Sequence, residues 1–311
     1  MIAVNSHKQT AVLALGGGGA RGIAHLGVIE VLQQTPIQVN HLVGVSIGSL
    51  AGALCAVDSD TRGVQKRVVD YLTSEEFQSN QAELFRAAPP ADEPGASGLF
   101  AWYGQIRRFL GARQKLTALF SKSALLEASL LRNIIEALLP DIDIRDTRLP
   151  LSIVALDLLS GKEVVLTEGS LREAVVASAS IPGVFPPVRW ENRLLCDIGM
   201  MDSIPARVAR SRHSDLTIAV DVSSKVEPVQ DCRTAADIFM RLYNIGESLV
   251  RNYTVEIADL VIRPDVSETQ WYDFSRPQDL IELGRAAARQ YLVCDPSRLP
   301  AVIPASSSKS L

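Results

Sequence analysis

Apolar positions along the chain follow two rhythms. Ala11–Leu15, Leu42–Val45 and Leu216–Val220 are short unbroken apolar runs, the signature of strands buried on both faces. Elsewhere apolar residues recur every three or four positions, which predicts helices over 23–34, from Leu50 onward, over 61–75, Ser123–Leu139, Leu171–Ser178, Thr234–Ile257 and Ile281–Leu292. Pro140 stops the fourth of these, and Pro182, Pro186 and Pro187 forbid regular structure in the loop at 178–187. Pro150–Leu158 and Lys162–Thr167 read as strands around a Ser160-Gly161 turn, Arg189–Asp197 as a hairpin, and Asp259–Arg263 as a last strand. Buried strands alternating with helices predict an α/β fold: a three-layer sandwich whose mostly parallel central sheet is flanked by helices.

One stretch breaks this rhythm. Ala87–Gly98 reads as a flexible linker, and the segment after it places Trp102, Ile106, Phe109 and Leu110 on one helical face beside Arg107, Arg108, Arg113 and Lys115. A basic-flanked aromatic face suits an interfacial helix or a lid over a lipid site, and a helix packed on the domain accounts for it equally well. The expected organisation is a single domain over 1–300, with a helical cap or lid inserted at about 77–122, and a disordered tail at 301–311. Peripheral membrane contact, if made, would run through 99–120.

Composition narrows the function classes. The chain has 311 residues, 47% hydrophobic and 21% charged, with a net charge of -4. That length fits two domains or one large α/β domain. An acidic balance and few aromatics argue against a nucleic-acid partner. Cys55, Cys196, Cys232 and Cys294 are scattered without a C-x-x-C pair, so neither a metal site nor a disulfide framework is expected, and reduced thiols point to a cytoplasmic protein. The apolar run after Lys8 is too short for a secretory signal, no apolar stretch is long enough to span a bilayer, and the final Lys-Ser-Leu is not the peroxisomal order.

The candidate chemistry begins where the second buried strand ends. Gly44-Val45-Ser46-Ile47-Gly48 fits G-x-S-x-G between a strand and a helix, the context of a nucleophile elbow. Gly44 and Gly48 leave room for the sharp turn, and the helix start directs free N–H groups and a positive dipole end at Ser46. A second glycine cluster, Gly16-Gly17-Gly18-Gly19-Ala20-Arg21-Gly22, follows the first strand. Gly17, Gly19 and Gly22 satisfy G-x-G-x-x-G, but no acid stands at the end of the next strand to hold a ribose. A P-loop fails too, because Ile23 stands where lysine is needed. The remaining use is an oxyanion hole. Arg21 could anchor this loop, attract an anionic head group or form a surface salt bridge.

A serine hydroxyl needs a base. His213 is the only histidine after Ser46, and it precedes a strand, at the sheet edge opposite the one Ser46 follows. His7 and His41 meet the same objection, and His25, in a helix, reads as packed. A carboxylate is left. Of Asp157, Asp197, Asp202 and Asp221, Asp197 is best placed, ending a strand at a glycine turn after the proline-rich loop. An aspartate of ordinary pKa, about 3.9, is a weak base, so such a pair would lean on oxyanion stabilisation and water exclusion.

The motifs GGGGARG at 16–22, GVSIG at 44–48, SASIPGVFPP at 178–187 and D-x-G at 197–199 together resemble the patatin-like phospholipase family, bacterial members included, over about Ala11–Leu292. The resemblance implies a serine acyl hydrolase acting on lipid or simple esters, without metal or cofactor. It assigns the nucleophile to Ser46, its partner to Asp197 and the oxyanion donors to the amides of Gly17, Gly18 and Gly19, with Arg21, Gly44, Gly48 and Gly199 in support. The chain departs from the family's D-G-G or D-G-A at Ile198, and Met200-Met201-Asp202 is also unusual. A positive φ at Ile198 would strain a β-branched residue and displace Asp197. Acyl transfer to an alcohol or carrier thiol through the same elbow, and a lipid-binding relative without turnover, are the alternatives.

Overall fold

The computed structural model describes residues 9–79, 124, 126–199, 201–233 and 235–292. His7, the tail at 301–311 and all but residues 77–79 of the expected cap lie outside the described residues. Eight strands form one open sheet: β1 (Thr10–Leu15), β2 (Gln38–Val45), β3 (Leu151–Asp157), β4 (Lys162–Leu166), β5 (Val188–Trp190), β6 (Arg193–Cys196), β7 (Leu216–Val220) and β8 (Leu260–Ile262). Their order is β5-β6-β3-β2-β1-β7-β8, with β4 paired to β3. The central strands run parallel, while β4 and β6 lie antiparallel to β3, and β5 to β6.

The described helices are α1 (Ala24–Gln33), α2 (Ile47–Val57), α3 (Thr61–Leu72), α4 (Ala128–Leu138), α5 (Leu171–Ala179), α6 (Ala206–Arg210), α7 (Ala235–Val255) and α8 (Pro277–Leu292). They cover the sheet unequally. Ala11, Leu13 and Leu15 of β1 face a large core completed by α1, α2, α3, α5 and α8. Val12 and Ala14 face a thin one, built with Ile198, Ile204 and the short α6. From α7 only Val255 joins that buried cluster among the described residues.

Three boundaries differ from expectation. α4 begins at Ala128, five residues after the expected Ser123, and Ala124 instead forms a parallel bridge with Gly183. β2 begins at Gln38, not Leu42, because its first half is polar and only partly buried and so carries no apolar run. It therefore includes His41, which hydrogen-bonds Ser152 Oγ at 2.8 Å instead of standing before the strand. α8 begins at Pro277, four residues before the expected Ile281: proline is well suited to the first helical turn, where its missing N–H costs nothing.

The register of β3 places the site. β2 pairs with β3 as far as Val45 opposite Val154, and β6 meets β3 from the other direction with Cys196 opposite Leu156. One step further along each strand brings Ser46 and Asp197 level with Ala155. Two chain segments far apart in sequence thus end facing each other.

Candidate active site

Ser46 sits between β2 and α2 at φ 53° and ψ -128°, a left-handed conformation that side chains rarely adopt. Its surroundings hold it there. Its N–H donates to Ser178 Oγ at 2.9 Å, and that hydroxyl donates in turn to Val154 O at 2.7 Å. Its carbonyl accepts from the Ser49 N–H at 2.9 Å and the Ser49 hydroxyl at 2.6 Å. The flanking glycines allow the turn to close: a Cβ on Gly44 would collide with the Gly48 carbonyl, and one on Gly48 with the Leu15 carbonyl at the end of β1. The strain is localised on the one residue whose side chain must stand clear of its strand.

Asp197 follows β6 and is only 5% exposed. Its N–H is tied to Ser180 O at 2.9 Å, and its Oδ1 accepts the Gly199 N–H at 2.7 Å. Burial pushes its pKa up to about 6, with the nearby Ser46 hydroxyl and the Gly199 amide pulling the other way. The expectation of an ordinary aspartate pKa is corrected: desolvation makes this carboxylate a better proton acceptor near neutral pH.

The strain expected at Ile198 is absent. Its φ is not positive, its side chain is buried in the thin core, and its carbonyl accepts from the amides of Met201 and Asp202. A large apolar residue fits here because the loop turns over the sheet face and not into solvent.

The glycine loop lies against Ser46. A Cβ on Gly17 would stand 3.3 Å from Ser46 Cβ. Not every amide of the loop is available, however. Gly16 N–H donates to Val220 O at 3.1 Å, Gly17 N–H to Ser203 O at 2.9 Å and Ala20 N–H to Trp271 O at 2.6 Å. Gly17 as an oxyanion donor is therefore corrected: its amide is committed to the loop's own architecture. The amides of Gly18 and Gly19 donate to no backbone acceptor among the described residues. Gly19 has φ 61°, and a Cβ there would collide with the Trp271 carbonyl. His25, fully buried, donates its Nε2–H to Gly16 O at 2.8 Å, and burial lowers its pKa to about 4. It anchors the loop as a neutral ring.

The other carboxylates are occupied elsewhere. Asp157 caps the β3–β4 turn, accepting from the Ser160 hydroxyl at 2.6 Å and the Leu194 amide at 3.0 Å. Asp221 accepts from Arg263 Nε at 3.3 Å and the Ser223 amide at 3.1 Å. Asp202 is raised to about 6 by burial, but it lies with Arg207 at 3.4 Å and lines neither cavity described below. His213 is exposed and precedes β7, at the opposite rim.

Ser46 stands where two cavities meet. One, about 140 Å³, is walled by apolar side chains that include Leu26, Leu54, Val68, Phe77, Ile134 and Val175. Phe77 is buried against Tyr71 and Phe274, so the start of the expected cap belongs to this wall. The other, about 160 Å³, is the more polar of the two and holds Asp197, the glycine loop, Arg21, Ser203 and, from α7, Tyr243, Asn244, Glu247 and Arg251. Arg21 is 4% exposed, which excludes a surface salt bridge; burial and then the Arg251 guanidinium lower its pKa to about 10. Its Nε makes no hydrogen bond among the described residues. Glu247 pairs with Arg251 at 3.0 Å and accepts from the Ser203 hydroxyl at 2.6 Å. Ser178 and this face of α7 escaped sequence reasoning. The polar i, i+1, i+4, i+8 spacing of 243, 244, 247 and 251 was the available signal.

An open, mostly parallel sheet with a strained serine elbow at its carboxyl edge defines an α/β protein of nucleophile-elbow type. The chain belongs to the patatin-like phospholipase family, whose model matches residues 13–210. It is 28% identical over 227 residues to an uncharacterized NTE family protein of Mycobacterium tuberculosis, covering 73% of this chain and 53% of the relative. It is 29% identical over 264 residues to human patatin-like phospholipase domain-containing protein 6, covering 84% of this chain and 16% of the relative. The chain thus spans about half of the mycobacterial relative and a small part of the human one. Among solved structures, VipD from Legionella pneumophila is similar with a TM-score of 0.42 at 14% identity, covering 91% of this chain and 66% of that one. No described helix is long and apolar enough to cross a membrane.

Proposed function

We propose that the protein is a serine acyl hydrolase of lipid or simple carboxylic esters, with Ser46 as nucleophile and Asp197 as its base. The observation that carries this reading is Ser46, held on a strained turn and lining, together with the buried carboxylate of Asp197 whose pKa is raised, the junction of an apolar and a more polar cavity. The acyl chain lies in the apolar cavity and the alcohol portion in the polar one. Ser46 Oγ attacks the ester carbonyl carbon while Asp197 takes its proton. The oxyanion that forms is met by the amides of Gly18 and Gly19, fixed in place before the reaction begins. Collapse of this intermediate breaks the ester bond, and Asp197 returns the proton to the departing alkoxide. Water then attacks the acyl-Ser46 ester, giving its proton to Asp197, and the carboxylic acid leaves as Ser46 is restored.

The test combines turnover with labelling. A fluorophosphonate probe should label wild type at Ser46, and Ser46→Ala should lose both labelling and p-nitrophenyl ester hydrolysis, by roughly 10³-fold or more. Undiminished turnover in Ser46→Ala ends this reading. Adding an alcohol acceptor separates hydrolysis from transfer: a dominant acyl-alcohol product would reassign the second half-reaction and leave the first intact.

A further inference from the structure

Helix α7 is turned the opposite way from an ordinary surface helix, whose apolar stripe faces inward. Its inner face is polar, carrying Tyr243, Asn244, Glu247 and Arg251 into the polar cavity. Its outer face is apolar: Ile238, Phe239, Leu242, Leu249, Val250 and Tyr253 are 41–72% exposed. These six are most of the large hydrophobic side chains exposed among the described residues. At about 100° per residue they and Gly246 fall within one arc of about 120°.

The stripe is nearly palindromic about Gly246. Phe239 and Tyr253 stand equally far on either side of it in sequence, and so do Leu242 and Val250. Among the described residues a Cβ on Gly246 would meet nothing within 4 Å, so there the centre of the stripe has room for a second backbone. A two-fold axis through Gly246 lays a second α7 antiparallel across the first. Phe239 then packs on the partner's Tyr253 and Leu242 on the partner's Val250, while glycine at the crossing lets the two backbones approach. Self-complementarity of this kind is what a two-fold interface demands of a single patch.

The area is sufficient. The stripe presents roughly 600 Å², at the upper end of the largest apolar patch a typical monomer exposes, and patches of that size are often functional. Pairing two copies would bury about 1,200 Å², above the roughly 1,000 Å² that marks a specific interface. A lipid surface would need neither the palindrome nor the central glycine. The residues flanking the stripe, Asp237, Arg241 and Glu256, also form no basic band for anionic lipids.

We infer that α7 is the contact helix of a two-fold homodimer of this chain. The pairing clamps from outside the helix whose inner face walls the polar cavity. This inference stands independently of the reaction assigned to Ser46.

Light scattering on the full chain at micromolar concentration tests it. Wild type is expected at about twice its 33.7 kDa. Leu242→Glu is expected at the single-chain mass with unchanged circular dichroism, since its side chain is 60% exposed and contributes little to the fold. In a Cys232→Ser, Cys294→Ser background, copper–phenanthroline should oxidise Gly246→Cys to a disulfide-linked dimer, because the axis juxtaposes the two copies of that position. Asn252→Cys should stay single, its two copies lying about 18 Å apart along an antiparallel pair. A monomeric wild type, or equal cross-linking at 246 and 252, overturns the inference. A monomeric wild type that co-sediments with phosphatidylcholine vesicles, and loses this in Leu242→Glu, overturns it in favour of a lipid surface.

Discussion

The two cavities that meet at Ser46 are similar in size and opposite in construction. The apolar one is carved from the large core, with walls from helices that pack tightly on the sheet. The polar one lies over the thin core, and its outer wall is α7, which among the described residues contributes only Val255 to the buried cluster. On one side substrate would be held by burial of apolar surface, which is non-directional and tolerant of shape. On the other, fixed donors and a desolvated carboxylate would do the proposed chemistry, which demands position. The contrast teaches that the reactive side of this site rests on hydrogen bonds and loop geometry, where the hydrophobic core gives it little support.

The largest effect should come from the polar side. Asp197→Asn removes the proton acceptor and is expected to lower ester turnover by roughly 10²–10⁴-fold. In wild type, turnover should fall as pH drops through about 6, where Asp197 takes up its proton. Stability should move the other way. The folded-state pKa is raised, so the folded chain holds the proton more tightly than the unfolded chain, and stability is lost as pH rises from about 4 to about 6. Asp197→Asn should therefore be more stable than wild type by about 2–3 kcal/mol at pH 8 and equal to it at pH 4, read by urea denaturation. Equal stability at both pH values would contradict the buried-carboxylate account.

A smaller effect is expected on the apolar side. Ile134, partly buried on α4, lines the apolar cavity proposed to hold the acyl chain. Ile134→Ala should shift the kcat/KM ratio for octanoyl over butyryl p-nitrophenyl esters by roughly 3–10-fold, with the butyryl rate nearly unchanged. A uniform fall in both would mean the cavity does not hold the acyl chain. The smallest effect belongs to the opposite rim: His213→Ala should leave turnover within about twofold, since an exposed group at the far edge of the sheet cannot reach Ser46. A large loss there would revive a histidine base.

Much of this was readable along the chain. The buried strands announced themselves because residues apolar on both faces leave an unbroken run, and the elbow because glycines must flank a serine forced into a left-handed turn. Asp197 could be singled out by its place after a strand. The start of β2 was not legible, since its polar first half carries no apolar signature. Nor was the loss of Gly17 as a donor, because nothing local to the glycine loop reveals that the Ser203 carbonyl, far along the chain, arrives to accept its amide. Periodicity identified α7 as a helix, yet it could not say that the polar face would point inward.

By itself, then, the sequence determined the strands and most of the helices and the serine held on its strained turn between glycines, because these depend on backbone sterics and on burial patterns within a few residues. Tertiary structure decided which glycine amides remain free, how far Asp197 is desolvated, that Ile198 fits without strain, and that α7 shows its apolar side to the outside. Each of those is set by a partner brought from a distant part of the chain, and a one-dimensional pattern does not encode which partner arrives.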